Sequence, residues 1–555
     1  MNPELSFHRR SPFLTAIALF ALAFLVRVPF AKFGNLSPDA VEYIDIARNI
    51  AHGKGAVSSI KWHFFTNEPV VHSAWGERPV LLSYLMASLD LARPSRASGS
   101  NDGEPPVAAT DSLILLQAFN SLLGALGAAL LYLWVRSAGS GEKIALWSAA
   151  LYAINPASIM CSAYVWTESL FIVLLLLTWM TLTTSEKDEE SGQRTAPPSC
   201  ETANSQSEIG NPQSAIGYWL SAILPALFTA LAFYARPTGI LLIPAIGVWM
   251  ALRRQWRRLA VFVVVAAVAI IPYYVLAARG HGSPFYSLQE QHLRVGHIEH
   301  AMAAGYGRQF PSAIQFISSY PRAVCQAIAS HLFQYTQDLF SFSYFSVLGF
   351  FLVAALVRFG RNSPYAPALL FAILHFFAVG VIWAAPVDSN RFLLIPFVCL
   401  LPSALEGLRS WRQSGGEIGG AGRRALATAT ALALVVLFYG VLNGRLYDGV
   451  RRNDRMRPAT EEFIRFTTQS LPANAVLAAS DAFVANFYYR RPTIVLPDPP
   501  ESGRLRAFIS EYKPDFILGP PNLSQSLAPL VEQKLVTHLP APPESPFLWW
   551  RVATH

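Results

Sequence analysis

The sequence predicts a polytopic α-helical membrane protein of about eleven transmembrane helices, with a small C-terminal extracytoplasmic α/β domain. Three observations predict it. Of 555 residues only 14% are charged and 53% are hydrophobic, whereas soluble domains carry about 25% charged residues. The apolar residues gather in runs near the roughly 20 residues that cross a bilayer. Lys and Arg concentrate in short connections between runs, the pattern that orients membrane proteins. The shortage of charge excludes a soluble enzyme. Thirty-six Phe, 20 Tyr and 13 Trp exclude a disordered chain, and 34 Gly without a triplet period exclude collagen.

The first run follows Arg9 and Arg10 and continues through Arg27-Val28-Pro29 without a clean small-residue cleavage site, so it reads as an uncleaved anchor. Spanning runs occur at 12–33, 112–135, 143–160, 164–184, 216–235, 237–252, 259–278, 342–358, 364–385, 391–408 and 424–442. A further stretch, 79–92, is short and interrupted by Ser83, Ser88 and Asp90, which suits a helix lying at the interface. With the N-terminus cytoplasmic, eleven spans place Arg253, Arg254, Arg257 and Arg258, then Arg358 and Arg361, then Arg409, Arg412, Arg423 and Arg424 inside. Counting 79–92 as a span places all of them outside. The net charge of +8 therefore reflects orientation in the membrane and not nucleic-acid binding.

The expected division is a first transmembrane helix at 1–33, a first extracytoplasmic loop at 34–111, a helical core at 112–442 and an extracytoplasmic α/β domain at 443–555. The first loop carries a helix at 38–52. Within the core, the Ser/Glu/Gln/Asn/Pro-rich segment 185–214 reads as a disordered cytoplasmic linker, and 279–341 as a second extracytoplasmic loop. In the tail, helix-like 461–469 precedes strands at 475–479, 493–496 and 515–518, which alternate with helices at 481–489 and 502–512. Cys161, Cys200, Cys325 and Cys399 are too scattered for a zinc site or a disulfide framework. No internal repeat supports an inverted-repeat transporter.

Seven ionisable residues next to apolar sequence fall at the outer face: Arg27, Asp39, Glu42, Glu168, Arg236, Asp388 and Arg391. Charges in or beside spans are functional-site candidates by default, and their gathering suggests a polar cavity opening outward. Taken singly, Arg27, Arg236 and Arg391 read equally well as cations snorkelling to headgroups, Glu168 as a structural ion-pair partner, and Asp39 as a helix cap after Pro38. His375 reads as a hydrogen-bonded packing residue and Asp481 as a cap. Glu42, three residues after Asp39, shares a helix face with it. Such a carboxylate pair suits accepting a hydroxyl proton, orienting an acceptor or holding a metal. No Walker loop, serine-hydrolase elbow or HExxH helix is present, which disfavours soluble-type chemistries.

Several motifs occur in a telling order. Arg27 ends the first span, and Pro38-Asp39-Ala40-Val41-Glu42-Tyr43 and Glu77-Arg78-Pro79-Val80-Leu81 follow in the first loop. Asn155-Pro156, Thr167-Glu168-Ser169-Leu170-Phe171, Ala235-Arg236-Pro237-Thr238-Gly239, Asn390-Arg391-Phe392 and Tyr489-Arg490-Arg491-Pro492 come after them. In this order they resemble the GT-C superfamily of membrane glycosyltransferases, which includes protein O-mannosyltransferases and the aminoarabinose transferase of lipid A. The resemblance implies a sugar donor linked through one phosphate to a polyprenol, with an acidic residue of the first outer loop at the reaction centre. Asp39 matches that position. Many members place two acidic residues side by side there, whereas this chain has Asp39-Ala40 and a second carboxylate at Glu42.

The expected site therefore has Asp39 and Glu42 as catalytic residues, and Arg27, Tyr43, Arg78, Glu168, Arg236, Asp388 and Arg391 as substrate-binding residues. No metal ligand and no cofactor are assigned, with a divalent metal left open. The expected partners are the polyprenyl-phosphate sugar, a lipid, glycan or protein acceptor, and membrane lipids. A flippase of lipid-linked saccharides is the rival reading, although the inner ends of the spans lack the charges that a transmembrane pathway needs. A non-catalytic assembly scaffold is a third.

Overall fold

The structure is a computed structural model that describes residues 11–31, 37–64, 68–89, 108–194, 212–288, 306–307, 312–358, 363–382, 389–413, 420–455, 463–464, 466–468, 471–472, 474–541 and 547–553. Helices dominate. The first half contains α1 (Pro12–Ala31), α2 (Pro38–Ala51), α3 (Leu81–Ser88), α4 (Ala108–Ser137), α5 (Glu142–Ile154), α6 (Pro156–Ala163), α7 (Glu168–Arg194), α8 (Pro212–Ala235), α9 (Leu242–Leu252) and α10 (Trp256–His281). A 3₁₀ turn, Pro237–Leu241, joins α8 to α9. Then follow α11 (Ala313–Ser319), α12 (Pro321–Leu339), α13 (Leu348–Arg358), α14 (Ala366–Ile382), α15 (Ser389–Gln413) and α16 (Gly420–Arg455). Successive packing of α1 on α4, α4 on α7, α7 on α8 and α8 on α10 forms one wall, and α15 packs against α13 and α14.

Every expected span contains helix, but the count of eleven is not reproduced as eleven full-length spans. Among the described residues, five helices are long and apolar enough to cross a membrane, or six with the bent pair α5–α6. The helices Glu168–Thr183, Trp219–Ala235, Pro237–Leu252 and Ala366–Ile382 are apolar but shorter. Proline explains the clearest break. Asn155 caps α6 through its side chain, which accepts from Ser158 N–H at 3.1 Å, Pro156 takes the first helical position, and the axis bends by 52°. The run at 342–358 is helical only from Leu348, after turns.

α15 is the most enclosed of the long helices, with 94% of its apolar window buried. A helix surrounded by other helices holds its first turn rigidly, which matters for Arg391.

The small strands are β1 (Val57–Ser58), β2 (Ile60–Lys61), β3 (His72–Ser73), β4 (Leu477–Ala479), β5 (Thr493–Val495), β6 (Phe516–Gly519), β7 (Val536–His538) and β8 (Leu548–Val552), with helices α17 (Ala482–Tyr489), α18 (Ser502–Tyr512) and α19 (Leu523–Glu532) in the tail. β1 pairs antiparallel with β3. The main sheet runs β2-β5-β4-β6-β8-β7, parallel as far as β6 and antiparallel beyond.

Three features differ from expectation. α16 continues to Arg455, so position 443 lies inside a helix; no proline interrupts it. The edge strand β2 belongs to the first loop, where Ile60 and Trp62 bury apolar surface that the loop alone cannot cover. The linker expected at 185–214 starts as helix, because α7 runs to Arg194; 195–211 lie outside the described residues.

Candidate active site

Ser37 determines where Asp39 points. Its hydroxyl oxygen accepts the Ala40 N–H at 3.1 Å and the Trp166 indole N–H at 3.0 Å, which caps α2 and pins it to the start of α7. Asp39 is thereby relieved of the capping role. Its carboxylate accepts from Arg78 Nη1 at 2.9 Å on one oxygen and from Arg391 Nη1 on the other.

From this residue an alternating ladder of charge runs in both directions. Arg78 donates Nε to Glu42 at 2.6 Å. Arg391 lies 4.0 Å from Glu168 Oε1, the same oxygen that pairs with Arg236. The order is Glu42, Arg78, Asp39, Arg391, Glu168, Arg236, with each acid beside an arginine. Aromatic faces hold the guanidiniums in plane: Arg78 lies 4.9 Å from the Trp62 ring centroid, Arg391 5.0 Å from Trp166 and 4.9 Å from Phe392, and Arg236 5.2 Å from Phe392.

Burial raises the Asp39 carboxyl, but the Arg391 and Arg78 charges outweigh it and hold the group well below the usual carboxylate range. Burial has the opposite outcome at Glu42, which Arg78 only partly offsets, and its pKa rises to about 7. Arg78 is kept firmly protonated: burial alone lowers its pKa, but Glu42 and Asp39 more than reverse this.

A cavity of about 270 Å³ opens over the ladder, lined by Asp39, Tyr43, Arg78, Arg236, Thr238 and Arg391 on its polar side and by Ile240, Leu241, Val379, Ile382 and Phe392 on its apolar side. Asp39, Tyr43, Arg78, Arg236 and Arg391, expected together from sequence, are thus brought together. Glu168 stands behind the arginines. Glu42 is fully buried and accepts from Arg78 and Ser58; it is absent from the cavity wall and acts as the second anchor of Arg78. Arg27 is also absent from the wall and does not snorkel. It is 1% exposed and donates to Ser158 and Ser162 and to the Ala23 and Ala153 carbonyls, bracing the α5–α6 break. Asp388 lies outside the described residues. Asp481 caps α17, accepting from Val484 N–H at 3.0 Å, whereas neither ring nitrogen of His375 has a hydrogen-bond partner among the described residues.

A cluster that sequence reading missed lies beside the cavity. Glu68, His72 and Glu77 offer ligand atoms within 4.8 Å of one another. His72 Nε2 is 2.8 Å from Glu77, and His63 and His281 contact Glu77 and Glu68 at 3.8 and 2.5 Å. The mixed imidazole and carboxylate donors fit a borderline divalent cation such as zinc. Their spacing of four and five residues in the loop 68–77 was the available signal. Glu77 adjoins Arg78, so a cation there would stiffen the loop that delivers Arg78.

Comparison with known proteins agrees with this architecture. Residues 97–202 match the family described as dolichyl-phosphate-mannose-protein mannosyltransferase. No curated protein matches the chain. Among solved structures, ArnT from Cupriavidus metallidurans bound to undecaprenyl phosphate superposes with a TM-score of 0.54 at 14% identity, covering 96% of this chain and 97% of ArnT. Its apo state gives 0.55 at 15%, covering 97% and 98%. The Archaeoglobus fulgidus oligosaccharyltransferase in complex with Zn and sulfate gives 0.52 at 14%, covering 91% of this chain and 68% of that one. The family match is confined to residues 97–202, and the solved structures, at 14–15% identity, show that this chain shares their fold.

Proposed function

We propose that this protein transfers a sugar from a polyprenyl-phosphate donor to a hydroxyl of a lipid, glycan or protein acceptor on the extracytoplasmic side, with Asp39 as general base. One observation carries the reading: a single cavity wall joins a doubly paired carboxylate and three arginines to an apolar surface. The arginines suit a phosphate and the apolar wall suits a prenyl chain. The undecaprenyl phosphate bound to ArnT supports the same donor class. The arginine clusters of the connections after α9, α13 and α15 support a cytoplasmic N-terminus, and thereby extracytoplasmic placement of the first loop and tail.

In the free enzyme Arg391 and Arg78 make Asp39 a weak base. The donor is a phosphodiester, and its anion competes with Asp39 for Arg391 and with Glu168 for Arg236. Asp39 then regains basicity and accepts the proton of the acceptor hydroxyl as that oxygen bonds to the anomeric carbon. The bond from the anomeric carbon to the phosphate oxygen breaks with its electron pair leaving on the phosphate. The second negative charge of the lipid monophosphate develops beside Arg236 and Arg391, where charge-assisted hydrogen bonds stabilise the transition state more than the ground state.

General-base assistance is typically about 10²- to 10⁴-fold in rate. Asp39→Asn is expected to lose at least about 10²-fold in lipid-phosphate release while still binding undecaprenyl phosphate. Near-normal turnover in purified Asp39→Asn protein would refute the assignment.

A further inference from the structure

The tail domain holds a second cavity, of about 190 Å³, at the carboxyl ends of two parallel strands. The chain leaves β4 through α17 to reach β5 on one side, then crosses through α18 to β6 on the other. Such a reversal opens a crevice between the strand ends, which is where open α/β sheets bind ligands. Ala479, Ser480 and Asp481 approach it from β4, and Leu518 and Gly519 from β6. Among the described residues it shares no lining residue with the cavity over the charge ladder.

The lining defines what fits. Phe463, Ile464, Val484, Leu518 and Phe547 make an apolar floor, in which the Phe463 and Phe547 rings stand 5.6 Å apart between centroids. Tyr489 adds its ring, and its hydroxyl is already taken by Thr467 at 2.6 Å. An apolar cavity of about 150 Å³ holds a benzene molecule, and aromatic rings gain from packing edge to face or offset on one another. The volume therefore suits one six-membered ring. It falls short of the roughly 300 Å³ at which sites for whole cofactors begin.

The mouth has a different chemistry. Ser480 and Asp481 line it and are exposed. Asp481 Oδ1 accepts the Val484 N–H at 3.0 Å, so the start of α17 already carries a negative charge, and a phosphate there meets repulsion. A hydroxyl and a carboxylate suit an amide N–H or an ammonium group. The complementary ligand has an aromatic ring with such a donor beside it.

We propose that this cavity is a docking site for a polypeptide, which seats one aromatic side chain on the floor and sets a flanking lysine or arginine against Asp481. A single aromatic anchor in a fitted pocket is the usual energetic centre of a protein contact. A lipid chain matches less well, because the floor has room for one ring only and Asp481 repels an anionic headgroup. The site does not depend on the sugar-transfer reading.

The test titrates full-length protein in lipid nanodiscs with capped peptides Gly-Gly-X-Lys-Gly and Gly-Gly-X-Glu-Gly, where X is Phe, Leu or Ala, and with para-fluorobenzylamine, para-fluorobenzoate and decanoate. Binding is read by calorimetry and fluorine NMR. The Phe-Lys peptide is expected to bind at least about tenfold tighter than Ala-Lys. It is expected to exceed Phe-Glu by about threefold, as the benzylamine exceeds the benzoate, the range of a single exposed charge pair. Val484→Phe, which places a ring on the floor, is expected to cost the Phe peptides at least about tenfold. Asp481→Asn, which keeps a side chain able to cap α17, is expected to equalise Phe-Lys and Phe-Glu while retaining the preference for Phe over Ala. In both variants the Kd for undecaprenyl phosphate is expected to stay within about twofold of wild type, which reports folding. Where Val484→Phe fails that control, Asp481→Asn decides. Absence of binding by the Phe peptides, undiminished binding in folded Val484→Phe, or an unchanged Lys preference in Asp481→Asn would overturn the site. Decanoate binding that Val484→Phe abolishes, with no peptide binding, would overturn the polypeptide in favour of an acyl chain.

Discussion

At the scale of single residues, Asp39 and Glu42 show how two carboxylates one helical turn apart acquire opposite properties from their surroundings. Asp39 is shared by two arginines and stays charged, whereas Glu42 is sealed beneath one arginine and holds its proton to about pH 7. The linkage signs are opposite. The contribution of Asp39 to stability is present above the ordinary carboxylate pKa and is lost in acid as pH falls toward its depressed value. That of Glu42 is present below the ordinary carboxyl value of 4.5 and is lost as pH rises through about 7. Glu42→Gln is therefore expected to remove a downward component from the dependence of melting temperature on pH between 4.5 and 7. Parallel pH profiles for Glu42→Gln and wild type would refute the raised pKa of Glu42. Sequence reading named both residues but not their division of labour. Burial and the single long reach of Arg78 separate them, and neither follows from an i, i+3 spacing.

At the scale of elements, two short segments aim the site. The Pro237–Leu241 turn places Arg236 just before it and Thr238 within it. It passes so close to α8 that a Cβ on Gly239 would lie 2.5 Å from the Phe233 nitrogen and 2.6 Å from the Ala232 carbonyl carbon. Backbone atoms cannot rotate away, so Gly239→Ala is expected to displace the turn. The predicted outcome is at least about a tenfold loss of undecaprenyl phosphate affinity through Arg236, with little change in helix content by circular dichroism. Unchanged affinity would show that the turn adapts. The loop 68–77 is the second segment. Micromolar zinc is expected to raise the melting temperature of wild-type protein, and chelator to lower it, but not of His72→Ala, because a cation joining Glu68, His72 and Glu77 binds the folded loop alone. Equal responses of the two proteins would exclude this cluster. Asn155-Pro156 was legible as a break, whereas the histidines were not legible as a cluster because His281 arrives from the far end of α10.

At the scale of the whole molecule, the sheet couples the first loop to the tail. β2 pairs in parallel with β5, and Thr493 N–H donates to Ser59 O at 2.9 Å. Thr493→Pro removes that donor. It is expected to increase proteolytic cleavage within residues 52–80 and to lower transfer several-fold, even though Thr493 is far in sequence from Asp39. Unaltered cleavage and turnover would show that the loop is held by its own contacts. The sequence by itself determined the membrane class, the helical segments and the alternation of tail elements as far as β6, because hydropathy, caps and breakers act over a few residues. Tertiary structure alone decided that Arg27 braces a helix break and Arg391 grips Asp39. It also decided that Glu42 is an anchor, and that a strand from residues 60–61 completes a sheet begun more than four hundred residues later. Each of those outcomes depends on which side chains meet across distant segments and on how much water they exclude, and local sequence carries neither quantity.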